Sequence, residues 1–212
     1  MKKIISIVIF FFSAIAIFGQ TVAPLSSDGL KLRNFYLNEN VENLWIAGHH
    51  INWETGEPDK ANATKGIKTH CSAFVASVCK QNNIYILRPP EHTTELLANA
   101  QYDWLFTKDA RNAGWSQIKD SVFFTAQNLA NMGCIVIAVA KNPNNHKPGH
   151  IAFVMPIGKT MNSLLAEGPT LIQAGLINSN SISLKTGFKH HISNWTKVTD
   201  LVAFFYNKDS IQ

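Results

Sequence analysis

Cysteine is scarce in this chain: there are three in 212 residues, an odd count. That excludes a dense disulfide framework and leaves at least one thiol free. Charge is scarce too. Charged residues make up 16% of the chain and the formal net charge is +5, too mild a surplus to argue for nucleic acid. No apolar run beyond Phe18 is long enough to span a membrane. A glycine-rich phosphate loop, a G-x-S-x-G motif, internal repeats and low-complexity tracts are all missing. His49, His50 and Asp59 come nearest to a metal set, but their spacing fits no zinc pattern. No metal and no cofactor is expected.

What is present begins with the opening M-K-K-I-I-S-I-V-I-F-F-F-S-A-I-A-I-F-G-Q. Two lysines, a short apolar core and a small residue before polar sequence describe a secretory signal peptide. Removal is expected near Gly19/Gln20, leaving residues 21–212 as one domain of a periplasmic or extracellular protein. No stable membrane insertion is expected afterwards. Loss of Lys2 and Lys3 lowers the formal charge from +5 to +3, which does not oppose a polyanionic surface.

The first third of the remaining chain has helical texture. Residues 28–47 carry apolar positions at loosely helical spacing, and a polar loop with three glycines follows. Residues 72–81 form an amphipathic helix, with Phe74, Val75, Val78 and Cys79 on one face. Another helix is expected before residue 105, capped by Thr93 or Thr94, and another over 122–132, ended by Gly133. The texture then changes to strands over 134–140, 150–156, 169–174, 181–186 and 201–207. Helices followed by an antiparallel run of strands predict an α+β fold.

Two cysteines share K-T-H-C-S-A-F-V-A-S-V-C. Eight residues of one helix place Cys71 and Cys79 about 12 Å apart along its axis, beyond disulfide reach. Cys79 falls on the apolar stripe. Cys134 begins an apolar strand and is most simply a small hydrophobe. Cys71 stands at the helix N-terminus, where unpaired N–H groups and the helix dipole lower a thiol's pKa. A buried packing role explains that position as readily, so the base must decide.

Of eight histidines, His49, His50, His92, His146, His190 and His191 sit in or beside loops and turns. His150 starts an apolar strand in P-G-H-I-A-F-V-M-P. Alternation puts His150, Ala152 and Val154 on one sheet face and Ile151, Phe153 and Met155 on the other. A His held at a sheet rim, where a packing helix begins, suits a general base.

The segments C-S-A-F-V-A-S-V and P-G-H-I-A-F-V resemble the Cys and His motifs of the NlpC/P60 and CHAP superfamily of papain-like cysteine amidases and peptidases. The resemblance covers roughly residues 68–175. It implies a papain-like core with N-terminal helices packed on an antiparallel sheet, Cys71 as nucleophile and His150 as base. It also implies a peptidoglycan substrate, cleaved at an amide bond of the stem peptide. A monomer is expected, with peptidoglycan or its peptide fragments as partner.

The resemblance further implies a polar third residue that orients the imidazole. Many members carry a second His about a dozen residues on, where this chain has Asn162. The candidates are Gln173 and Glu167. Gln173 interrupts an apolar strand, where a polar side chain needs a partner. Glu167 adjoins Gly168-Pro169 and has the texture of a turn. That contrast favours Gln173. Thr69 and His70 precede the nucleophile and are expected to approach substrate, and Trp53 is expected to wall the cleft. Rival readings are a thiol peptidase or acyltransferase acting on proteins, and an inactive wall-binding module of the same fold.

Overall fold

The computed structural model describes residues 22–59 and 69–208; the expected signal segment lies outside them. Helix α1 (Ser27–Asn38) is capped by Ser26, whose hydroxyl accepts from the Gly29 N–H. Three further helices follow: α2 (Cys71–Gln81), α3 (Leu97–Leu105) and α4 (Lys108–Asn112). Neither expected threonine caps α3. It starts instead after Leu96, which takes a left-handed conformation.

Strand β1 (Trp115–Ile118), helix α5 (Val122–Asn131), and strands β2 (Ile135–Ala140) and β3 (His150–Val154) come next. Helix α6 (Met161–Glu167) precedes β4 (Thr170–Gln173), β5 (Ser179–Ser183), the short helices α7 (Leu184–Gly187) and α8 (Val198–Leu201), and β6 (Ala203–Asn207). The expected strand over 181–186 thus divides: its first half belongs to β5, and Ser183 caps a helical turn over the second.

The strands form one sheet in the order β1-β6-β2-β3-β4-β5, with every pairing antiparallel. The fold is α+β. Among the described residues no helix is long and apolar enough to cross a membrane.

Helices cover both sheet faces. On one, Ile137, Val139, Ile151, Phe153 and Phe205 pack against Tyr36 of α1 and Phe74, Val75 and Val78 of α2. On the other, Ala138, Ala152, Val154, Leu171 and Phe204 pack against Ala126 and Ala130 of α5 and Phe188 just beyond α7. The two central strands β2 and β3 are therefore buried along their full length. Their unbroken apolar sequences follow from cover on both sides, since a strand with one wet face alternates.

Candidate active site

The site forms where β3 loses a neighbour. Strand β4 pairs with β3 only at Phe153–Ile172 and Val154–Leu171. The first residues of β3 therefore have no strand partner on that side. Gly149 lets the chain enter β3 closely: a Cβ there would lie 2.3 Å from the Ala140 carbonyl oxygen and 2.6 Å from Asn99 Oδ1.

Alternation along β3 is as the sequence predicts, but the helix packing is not. His150 shares a face with Ala152 and Val154, the face covered by α5 and α7. The helix that carries Cys71 packs on the opposite face, with Ile151 and Phe153. The two residues therefore belong to opposite faces of the sheet. Cys71 is the first residue of α2 and is 3% exposed. The backbone N–H dipoles of Ile151, the residue after His150, and of Ser72 and Cys71 itself act on its thiol.

Those N–H groups pull the thiol pKa down, but burial outweighs them and the net shift is upward. This corrects the expectation of a lowered value at a helix N-terminus. The helix end still favours the anion, but the hydration a buried thiolate loses costs more than the helix end returns.

Gln173 orients His150. Its Oε1 lies 3.0 Å from His150 Nε2, and its amide nitrogen donates to the Ile177 carbonyl at 2.9 Å. The second bond fixes which end of the amide faces the ring. Nε2 must then carry the proton, which leaves the Nδ1 lone pair free to accept one. Gly187 makes room for this, since a Cβ there would lie 2.6 Å from Gln173 Oε1. Phe188 packs on the imidazole with ring centroids 4.6 Å apart, and His191 stacks nearly parallel at 5.9 Å.

Burial lowers the His150 pKa to about 4, with the Gln173 bond opposing and His191 reinforcing. At neutral pH the imidazole and the Cys71 thiol are therefore both uncharged. Burial also lowers the pKa of His191, with His190 adding to the effect.

A cavity of about 900 Å³ opens beside this group. His150 and Gln173 line it, with Thr69 at one edge and Leu176, Lys189 and His191 at others. Cys71 is not among the lining residues.

The remaining candidates do not line this cavity. His70 turns its ring to the His49 carbonyl at 2.9 Å, which ties the preceding loop to the start of α2. Trp53 belongs to the other end of that helix. Lys80 lies over its ring at 5.5 Å, and the neighbouring Glu54 carbonyl accepts from Ser77. That is about 13 Å along the axis from Cys71, so Trp53 does not wall the cavity.

Glu167 ends helix α6 rather than a turn. It is exposed, bonds Ser163 and faces Lys159 at 3.6 Å, so its carboxylate is engaged away from His150. His50 pairs with Asp59, and no group of three or more His, Cys, Asp or Glu able to hold a metal occurs among the described residues. Phe188 and His191 escaped the sequence reading. They lie some forty residues beyond His150 in a turn, and the adjacent histidines were the one available signal.

No protein-family model matches this chain, and no curated protein matches it significantly.

Proposed function

We propose that this protein is an exported cysteine hydrolase of papain-like architecture that cleaves amide bonds, with peptidoglycan stem peptides as its substrate. One observation carries the reading. The thiol at the start of α2 feels the N–H dipole of the residue directly after a histidine whose tautomer is set by a buried glutamine.

The chemistry follows from the protonation states. His150 Nδ1 takes the Cys71 proton as sulfur attacks the amide carbonyl carbon. First-turn N–H groups of α2 support the oxyanion that forms. His150 returns the proton to the leaving nitrogen as the C–N bond breaks, giving a thioester and an amine. Water then loses a proton to Nδ1 and attacks the thioester. The products are a carboxylic acid and the restored thiol. Because both partners start neutral, proton transfer accompanies attack rather than preceding it.

The burial of Cys71, and its absence from the cavity lining, favour a second reading, a binding module that keeps the fold without the chemistry. Incubation with purified cell wall separates the two. The hydrolase reading requires soluble fragments with new amino termini, released by the protein and lost in Cys71→Ala. Fragments from casein alone would assign the chemistry to proteins instead, and no release from either would leave the binding module.

A further inference from the structure

The cavity beside His150 has two unlike walls. One is apolar. Leu176 and Ile177 are 57% and 52% exposed at its lip. Exposed aliphatic side chains in a loose loop would mean little, but this turn is fastened from both ends. Gln173 donates to the Ile177 carbonyl, Asn178 Oδ1 accepts from the Gly175 N–H, and the Asn178 amide reaches the carbonyls of Val41 and Leu44 at 2.7 Å. The turn thus holds two aliphatic side chains out towards solvent beside the catalytic group.

The other wall is basic. Lys147, Lys189, His190 and His191 line it, and among the described residues no Asp or Glu lines this cavity. Lys147 and Lys189 also border a second cavity of about 730 Å³, where Asp200 is the one carboxylate among the described residues. Among the described residues neither lysine makes an ion pair, with Asp200 or any other acid. Lys141, which borders the same second cavity, is by contrast neutralised by Asp103 at 2.6 Å. The Lys147 loop is held in place, because buried Asn99 donates to the Lys147 carbonyl and accepts from the Asn142 N–H. Two uncompensated ammonium groups on fixed backbone, facing a cavity without acids, make a field that attracts an anion.

We infer that the substrate carries a free carboxylate, held by Lys147 and Lys189, next to an aliphatic side chain that rests on Leu176 and Ile177. This rests on the amide-hydrolase reading for the word substrate, while the ligand chemistry rests on the two walls alone. The lysines supply charge, the aliphatic lip supplies apolar contact, and a ligand satisfying both straddles His150.

Binding tests this without turnover. Fluorescein-labelled Ala-Leu-Glu-Ala amide and its Gln counterpart are titrated by anisotropy into the Cys71→Ala protein at low salt. The Glu peptide is expected to bind at least about tenfold more tightly than the Gln peptide. Lys147→Gln/Lys189→Gln should erase that difference, whereas Lys31→Gln/Lys108→Gln, an equal loss of charge elsewhere, should preserve it. Leu176→Asn/Ile177→Asn should weaken both peptides alike. Both lysines are exposed, so their replacement leaves the fold intact. Equal binding of the two peptides, a preference that survives the Lys147/Lys189 change, or no binding of either would overturn the inference. Retained Glu preference in a protein that releases nothing from cell wall would sink the hydrolase reading and leave the anion site standing.

Discussion

Cys71 and Cys79 lie on one helix, are both buried and both have raised pKa values, yet the protein treats them differently. Around Cys79 burial acts almost unopposed, with only the charge of Arg88 against it, and the thiol rises to about 12. Around Cys71 the backbone N–H groups of Ile151, Ser72 and Cys71 temper the same effect. Cys79 is packing material. Cys71 is buried too, but backbone N–H dipoles there favour the anion. A thiol's position on the helix, rather than its burial, separates the two electrostatically.

The comparison breaks most sharply by mutation. Cys71→Ala should lower amide hydrolysis at least about 10⁴-fold, as loss of a nucleophile does, while Cys79→Ala keeps the rate constant. Cys79→Ala should instead cost about 1–2 kcal/mol of stability for the cavity it leaves, read by urea denaturation. Gln173→Ala comes next. It frees the imidazole to change tautomer and should cut kcat about tenfold to a hundredfold with KM little changed, part of what a positioned base contributes.

A pH series sharpens the electrostatic half of the comparison. Because the folded-state pKa of His150 is lowered from 6.5 to about 4, the unfolded chain binds a proton that the native state refuses between those values. Stability should therefore fall as pH drops from about 6.5 to 4, by on the order of 3 kcal/mol from this residue. The slope should flatten in His150→Leu when both proteins are unfolded with urea at pH 4.5 and 7. Hydrolysis should persist to pH values well below those of an ordinary histidine base and fail near 4.

The smallest effects belong to residues that only resembled site members in the sequence. Trp53→Ala should destabilise by about 1–3 kcal/mol through lost apolar contact and leave KM unchanged. Glu167→Ala should move stability by less than about 0.5 kcal/mol, as exposed charges do, with activity unaffected.

These outcomes track what the sequence made legible. Gln173 was visible because a polar residue inside an apolar strand has to find a partner. The helix start at Cys71 and the strand start at His150 were visible from periodicity and from the Pro148-Gly149 turn. Glu167 was misplaced because M-N-S-L-L-A-E is a single short helix, capped by Thr160, and too brief for its period to register. Strand β1 went unseen for a related reason. W-S-Q-I is short, and it becomes a strand through pairing with β6, nearly ninety residues away. Trp53 misled because an aromatic residue in a loop serves packing and binding equally well. The cover on the second sheet face was legible only in part. The unbroken apolar runs of β2 and β3 require cover on both sides, but nothing local says which helix supplies it. Hence the helix of Cys71 was assigned to the face of His150, where α5 and α7 lie instead.

The central claim is that His150 activates Cys71, and alkylation tests it most directly. The rate of iodoacetamide labelling at Cys71 and Cys134 is measured at pH 7 by peptide mass spectrometry, in the native protein and in His150→Ala. The account predicts that Cys71 reacts faster than half-buried Cys134, and that loss of His150 slows Cys71 at least about tenfold while Cys134 is unchanged. A Cys71 rate no faster than that of Cys134, or one indifferent to His150, would contradict it.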